Sequence, residues 1–374
     1  QYIGHREPKR AKASAAQIMF IMISLSVVTA VIVAVGRHAI LRGIFGSIDA
    51  DVMRYAETYF LLSALSYPFI GVYNAGAALF RAQGNSKISM LSSLVMNVVN
   101  IGGNAILIYG FGMGVMGAAT ASLVSRMIAC FTVMFLLQKP DCALRIDHLT
   151  DLKPDLDLIK RILKVGIPAA LQMAVTAFSN VFVQSYINSF GEDCMGGWTA
   201  YVKIDQFLFL PMQSISLAVT TFVGQNLGIN QVARAKKGIR AGMLMAVACT
   251  ALLMVPVLIF APQLVEFFNK KREIVDYGSM LLRLISPFYV FCCINQIFAG
   301  ALRGAGNSRT PMFIMIGSFV VFRQIYLFIM ANYISNTIKP IALSYPAGWL
   351  LCSLITALYF KFAKWEKHRV VDIE

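Results

Sequence analysis

Apolar runs long enough to cross a bilayer recur along nearly the whole of this 374-residue chain, and they leave few folds open. A helix needs about 20 apolar residues to span a hydrocarbon layer roughly 30 Å thick. Runs of that order lie near 14–36, 55–79, 88–109, 114–137, 162–189, 195–220, 238–260, 277–301, 311–332 and 341–362. Their period is helical and shows no barrel-like alternation, so each reads as a helix, the form that satisfies its own backbone in lipid. With 58% hydrophobic and 14% charged residues, the chain has too little charge to cover a soluble surface of this size. The expected fold class is an all-α polytopic membrane protein with about ten transmembrane helices.

The formal net charge of +15 is distributed by side. One set of short connections holds Arg6, Lys9, Arg10, Lys12, Arg81, Lys87, Arg234, Lys236, Lys237, Arg240, Arg303 and Arg309, with Glu7 as their acid. The other set mixes signs: Arg37, Arg42 and Arg54 with Asp49 and Asp51, Glu192 and Asp193, and Lys270, Lys271 and Arg272 among Glu266, Glu273 and Asp276. Lys and Arg concentrate on the cytoplasmic side of membrane proteins. The first set is therefore expected in the cytoplasm, together with both ends of this chain. That asymmetry, plus the basic tail of Lys361, Lys364, Lys367 and Arg369, accounts for the charge without any nucleic-acid partner.

Two other classes find no support. The histidines are His5, His38, His148 and His368, all expected in loops or tails, and no His-Glu-x-x-His or paired-Asp cluster suggests an intramembrane enzyme. Gly112-Met113-Gly114-Val115-Met116-Gly117 fits the dinucleotide pattern, but it joins two membrane helices and follows no strand, so it is a hairpin turn. No G-x-x-x-x-G-K-[ST] loop occurs, no cofactor is called for, and the energy source is expected to be an ion gradient. The seven cysteines, mostly inside runs (Cys130, Cys249, Cys292, Cys293, Cys352), read as small apolar residues.

The chain repeats itself. Leu79-Phe80-Arg81-Ala82-Gln83-Gly84-Asn85-Ser86-Lys87 returns as Ala301-Leu302-Arg303-Gly304-Ala305-Gly306-Asn307-Ser308-Arg309, 222 residues later. Tyr2-Ile3-Gly4 with Lys9-Arg10-Ala11-Lys12 resembles Phe222-Val223-Gly224 with Arg234-Ala235-Lys236-Lys237, and Pro68-Phe69 resembles Pro287-Phe288. An even number of runs separates equivalent loops, so the halves run in the same direction, the parallel kind of duplication. Runs 162–189 and 195–220 precede the second half's Phe-Val-Gly, whereas nothing precedes the first half's Tyr-Ile-Gly. About two helices are therefore expected to be absent ahead of Gln1, from a whole of about twelve in two six-helix bundles. The expected domains are an N-terminal bundle at 1–137, a cytoplasmic linker at 138–161 (Asp141, Asp147, Asp151, Lys153, Asp155, Asp157), a C-terminal bundle at 162–365 and a tail at 366–374.

Polar residues inside the runs are the candidate site. Asp205 lies about halfway along 195–220, with Lys203 and Gln206 near it. An intramembrane carboxylate costs several kcal/mol unless paired or hydrated. It either exchanges a proton or neutralises a cationic substrate, or it forms a fixed ion pair with Lys203 or Arg323. Gln172, Thr176, Asn180, Gln184 and Asn188 place a polar group at every fourth position of 162–189, and Ser93, Asn97, Asn100 and Asn104 make a similar seam on 88–109. Both are either cavity walls or interhelical hydrogen-bonding seams. Arg126 and Arg323 are also mid-run; Arg323 either positions substrate or is a structural arginine on backbone carbonyls. Pro68, Pro168, Pro211, Pro256, Pro287 and Pro346 are hinges or simple kinks, the Gly-Asn-Ser loops tight turns, and the 19 methionines core filling or an adaptable substrate surface.

Gln1-Tyr2-Ile3-Gly4, Gly114-Val115-Met116-Gly117-Ala118-Ala119-Thr120-Ala121-Ser122, Phe222-Val223-Gly224-Gln225-Asn226-Leu227-Gly228 and the paired Gly-Asn-Ser loops together resemble the multidrug and toxic compound extrusion (MATE) family. The resemblance runs from residue 1 to about 362. It implies a V-shaped pair of bundles that exports cationic or amphipathic compounds in exchange for Na⁺ or H⁺ by alternating access. In one branch of that family a cation site uses an acid on the first helix, an Asn and an Asp four apart on the fifth, and a hydroxyl on the sixth. The matching positions are Asn100, Asn104 and Ser122, with Asn104 where that branch has Asp. Another branch has acids in the helices matching 162–189 and 277–301, where this chain has only Asp276 at an entrance, so the resemblance leaves Na⁺ and H⁺ open. The alternatives are a lipid-linked saccharide flippase of related fold, marked by a strongly basic cavity, and an inactive fragment. Expected partners are small-molecule organic cations and membrane lipid, for a monomer in the plasma membrane of a bacterium.

Overall fold

The computed structural model describes residues 1–46, 49–145 and 153–367. Its helices are α1 (Pro8–Phe45), α2 (Ala50–Leu65), α3 (Tyr67–Ala82), α4 (Ser86–Asn104), α5 (Gly114–Leu137), α6 (Leu156–Asn188), α7 (Glu192–Gly228), α8 (Val232–Ile259), α9 (Ala261–Glu266), α10 (Arg272–Ile285), α11 (Tyr289–Gly304), α12 (Arg309–Ile316), α13 (Arg323–Ile329), α14 (Ile338–Ala342) and α15 (Ser344–Phe362). Among the described residues no strand occurs, and nine helical stretches are long and apolar enough to cross a membrane. The run expected at 55–79 is instead two helices, α2 and α3, meeting at Ser66. Pro68 stands in the first turn of α3 and supplies no backbone donor to the turn before it. Arg126 of α5 donates to the Ser66 hydroxyl at this break. That interaction assigns Arg126 a structural place.

The duplication is visible bond for bond. In the first copy Gly84 N donates to Arg81 O and Asn85 N to Phe80 O, both at 2.9 Å; in the second Gly306 N donates to Arg303 O and Asn307 N to Leu302 O, again at 2.9 Å. Gly84 and Gly306 have φ of 80° and 93°, the left-handed region where a side chain is strained, which is why both copies keep glycine there. The Asn85 and Asn307 side chains then accept from the next helix, from Ile88 N at 3.4 Å and Thr310 N at 3.1 Å. These loops are tight turns. The break at Ser66 also recurs: a 3₁₀ turn at Ser286–Phe288, around Pro287, separates α10 from α11.

The chain divides into two compact units, one holding Tyr2 and Arg6–Ile162, the other Gln1, Ile3–His5 and the chain from Leu163 onward. Within the second unit the first residues pack on the chain that follows Leu163. Gln1 Nε2 donates to Gly304 O at 3.0 Å, and His5 Nδ1 lies 2.8 Å from Gly228 O. Gly4 approaches Gln225 so closely that a Cβ would stand 2.1 Å from its carbonyl oxygen. A correction concerns His38, expected in a loop: α1 runs to Phe45, and His38 pairs with Glu57 of α2. In the linker, Gln17 of α1 donates to Lys153 O at 2.8 Å and accepts from Asp155 N at 3.1 Å; Asp155 then caps α6 by accepting from Asp157 N and Leu158 N. Asp147, His148, Asp151, His368 and Arg369 lie outside the described residues.

Within the second unit α7 is the central helix, packed against α8, α10 and α11. Leu208, Met212, Leu282 and Ile297 are among its fully buried side chains. Lipid tails are as apolar as leucine, so helices in a bilayer are held by close packing and interhelical hydrogen bonds. Ser216 and Thr220 of α7 supply such bonds, donating to Gln296 O at 2.6 Å and Gly300 O at 2.9 Å on α11. Residues such as Val35, Leu244 and Phe313 are exposed, as a lipid-facing surface requires.

Candidate functional site

Asp205 sits near the middle of α7, one face of which is fixed against α11 by the Ser216 and Thr220 bonds. Tyr201, four residues earlier and so on the same side of the helix, donates its hydroxyl to Asp205 Oδ1 at 3.3 Å. Tyr289, which opens α11 just after the 3₁₀ turn, donates to the same oxygen. Tyr201 and Tyr289 are buried. Among the described residues, Asp205 forms no ion pair and Oδ2 has no protein donor. A carboxylate in this setting has one oxygen oriented by two hydroxyls and the other open to a ligand.

A second polar group comes from α13. Arg323 is 3% exposed, and its Nη2 donates to Ser179 Oγ at 2.7 Å and to Asn180 Oδ1 at 2.8 Å on α6. Its guanidinium lies 4.7 Å from the centroid of the Tyr345 ring. Ser179 in turn donates to Phe319 O at 3.1 Å. Phe319 belongs to a π-helical stretch, Gly317–Phe322, that leads into α13; such wider turns often mark functional positions.

Between these groups lies a cavity of about 480 Å³ inside the second unit. Asp205, Gln206 and Gln213 line it from α7, Thr176 and Asn180 from α6, Gln296 from α11 and Arg323 from α13. The remaining wall is Leu210 and the rings of Phe209, Phe319, Tyr345 and Trp349. Tyr345 stands 6.1 Å from Trp349, Trp349 stands 5.6 Å from Tyr289, and Phe209 packs against both Trp349 and Tyr289 at 6.3 and 5.8 Å. Aromatic faces attract organic cations, most strongly where water is excluded. A carboxylate, amide groups and four rings around one space are the chemistry of a site for amphipathic cations.

Of the residues singled out from sequence, Asp205, Gln206, Thr176, Asn180 and Arg323 come together here. Three others do not. Lys203 is exposed, and its ammonium lies 5.2 Å from the Phe268 ring; residues two apart on a helix point about 200° apart, so it faces away from Asp205. The expected Asp205 ion pair with Lys203 or Arg323 is therefore replaced by the two tyrosine bonds. Gln172 is buried against Met315, with Nε2 2.7 Å from the sulfur, and Gln184 donates to Asn188 at 2.7 Å. A spacing of four turns the stripe by about 40° per step, so its two ends leave the face that its middle presents. Tyr201, Tyr289, Tyr345, Trp349, Gln213, Gln296 and Ser179 were missed. Tyr201 at four before Asp205, Gln213 seven after Gln206 and Ser179 three after Thr176 carried a readable helical spacing; the others come from distant helices.

The residues carried over in the first unit form a small closed network. Asn100 Nδ2 lies 3.2 Å from Ser122 Oγ and 3.5 Å from Ser125 Oγ, and Asn104 Nδ2 donates to Asn100 Oδ1 at 3.2 Å. Asn104 Oδ1 is buried with no partner among the described residues. No carboxylate takes part in these bonds, so the arrangement is an interhelical seam of amides and hydroxyls.

Comparison with known proteins places these observations. A family model described as MatE matches residues 1–106 and 168–329. The probable multidrug resistance protein YoeA of Bacillus subtilis (strain 168) is 26% identical over 379 residues, covering 100% of this chain and 81% of its own length. The probable multidrug resistance protein NorM of Thermotoga maritima is 25% identical over 343 residues, covering 90% of this chain and 73% of its own. Among solved structures, a MOP superfamily transporter from Pyrococcus furiosus, described as having a binding pocket of reverse polarity, superposes with a TM-score of 0.91 at 21% identity over 98% of this chain and 82% of that one. An outward-facing multidrug resistance MATE family transporter of the MOP superfamily gives the same score, identity and coverage. At that identity the two structures speak for the fold alone.

Proposed function

Because this chain belongs to the MatE family, we propose that it is a multidrug exporter whose second unit holds cationic, amphipathic compounds in the cavity beside Asp205. Members of the family are transporters and not enzymes, and they work in a membrane. Relatives called multidrug resistance proteins support export as the direction of transport. One observation carries the assignment of the site: Asp205 lines the cavity with Oδ1 held by Tyr201 and Tyr289 and Oδ2 left without a protein donor. An intramembrane carboxylate without a basic partner is a place for a cation. The same oxygen takes either the substrate's charge or the coupling ion, Na⁺ or H⁺, so binding of one displaces the other and links the two fluxes. A monovalent cation moving down 100 mV releases about 2.3 kcal/mol, enough to drive uphill export. Alternating access completes the cycle.

The flippase reading expects a strongly basic cavity, and here one arginine is matched by one aspartate. The test is uptake of a cationic dye into inverted vesicles or proteoliposomes, with the Na⁺ and H⁺ gradients collapsed separately and together. We expect uptake to fail when the coupling gradient is removed, and Asp205→Asn to abolish it under every gradient. Uptake that survives both collapses, or an Asp205→Asn variant with wild-type rates, sinks the proposal.

A further inference from the structure

We propose that Arg323 and Thr176 form an anion-accepting end of the same cavity, so that it holds best those ligands carrying a carboxylate or similar anionic group together with a positive charge. The inference rests on the cavity's being the substrate site and adds a second charged contact to it. Arg323 is a full cation that is 3% exposed, yet every partner it has among the described residues is neutral: Ser179, Asn180 and the Tyr345 ring. A buried charge without a counter-charge is strongly unfavourable in a bilayer-spanning protein. Among the described residues its Nε–H is buried with no acceptor, and the Thr176 hydroxyl, from a second residue lining the cavity, is buried with no partner either. Two unclaimed groups of this kind, one cationic, call for an acceptor that a neutral ligand supplies poorly and a carboxylate supplies well.

Asp205 does not fill that role. It is bonded to Tyr201 and Tyr289, and among the described residues it makes no ion pair with the guanidinium, although both line the cavity. The cavity therefore carries one negative and one positive group that do not neutralise each other. A monocation answers Asp205 and leaves Arg323 unbalanced; a zwitterion answers both. The volume of about 480 Å³ is that of a drug-sized site.

The experiment measures binding to the purified full chain in detergent by fluorescence anisotropy, with a rhodamine bearing a free benzoate and the methyl ester of the same dye. At neutral pH the first is a zwitterion and the second a monocation. We expect the free acid to bind about tenfold more tightly than the ester, the difference expected for a charge-assisted contact in place of a neutral one. Arg323→Gln should erase that preference, bringing the acid-to-ester affinity ratio to about one. Thr176→Val should reduce the preference several-fold with the Ser179 and Asn180 bonds intact, which keeps the test open should Arg323→Gln fold poorly. Asp205→Asn should weaken both dyes. Equal affinity for acid and ester in the wild type, or a preference that persists in both Arg323→Gln and Thr176→Val, overturns the anion end while the export reading stands. An acid preference seen only when chloride is replaced by gluconate assigns the arginine to an inorganic anion and overturns it as well. Failure of both dyes to bind the wild type removes the substrate cavity itself.

Discussion

Replacing Gly300 by alanine tests the arrangement that brings Asp205 and Tyr289 together. Gly300 and Gly304 stand four apart on α11, facing Ser216 and Thr220 of α7, a small-residue seam of the kind that lets helix backbones approach in lipid. A Cβ on Gly300 would lie 2.7 Å from the backbone carbonyl oxygen of Ser216 and 2.5 Å from its hydroxyl. Carbon and oxygen settle at roughly 3.3–3.6 Å, so α7 and α11 must part by about 0.6–0.9 Å. Forcing an extra methyl into such a contact costs about 1–3 kcal/mol. Alanine also has the higher helix propensity, worth about 0.5–1 kcal/mol, which acts in the opposite direction. Gly166→Ala is the control for that gain, because its Cβ meets nothing within 4 Å. The quantity to compare is therefore the difference between the two variants, about 1–3 kcal/mol, or about 2–10 °C in melting temperature. A thiol-reactive dye reports it, since Cys130, Cys194, Cys292, Cys293 and Cys352 are buried until the protein unfolds. The Gly300 variant should also lose dye export, because Asp205 and Tyr289 lie on the two helices being parted. Equal melting of the two variants, with export intact, would refute the close approach.

Gln17→Leu leaves Lys153 O and Asp155 N without their side-chain partners, at about 0.5–1.5 kcal/mol for each bond, and should speed hydrogen exchange of the Asp155 amide; unchanged exchange argues that the linker needs no such tie. Asn307→Ala should destabilise more than Asn85→Ala by the same melting assay, because Asn307 also donates to Thr310 Oγ1 and Tyr359 Oη, at 2.9 and 3.2 Å; the reverse order contradicts the pairing described. The loop pair Lys271–Asp193, at 2.5 Å, raises the lysine's pKa chiefly through their hydrogen bond. A raised folded-state value means stabilisation that is complete at neutral pH and lost as pH rises through and beyond the ordinary lysine value of about 10.4. The melting difference between wild type and Lys271→Ala should therefore be flat from pH 6 to about 9, shrink at higher pH and fade in about 1 M salt. A difference that grows on alkalinisation contradicts that sign.

Much of the architecture was legible in the order of residues because a bilayer allows the backbone so few solutions. Apolar runs must be helices, and the repeated Gly-Asn-Ser segments folded into matching turns because Gly84 and Gly306 satisfy the same left-handed position. The break at Ser66 was less legible: Pro68 was visible, but whether a proline kinks a helix or divides it depends on the tertiary contacts at the break, here the Arg126 side chain bonded to the Ser66 hydroxyl. Asp205 could be picked out by its depth in an apolar run. Its partners could not be assigned by proximity in sequence, as the exposed Lys203 shows, because helical geometry turns the near neighbour away.

Sequence alone therefore determined that this chain is a duplicated helical membrane protein with an acid in one of its spans, since hydrophobic length and backbone satisfaction are local demands. Tertiary structure decided which groups meet that acid. Gln296, Trp349, Tyr345 and Arg323 reach the cavity from α11, α15 and α13, and Tyr289 reaches the acid from α11; their convergence depends on crossing and rotation of packed helices, properties that no single segment encodes. It also decided that Asp205 and Arg323 share a cavity without pairing, because each is held by other partners, the acid by Tyr201 and Tyr289 and the arginine by Ser179 and Asn180.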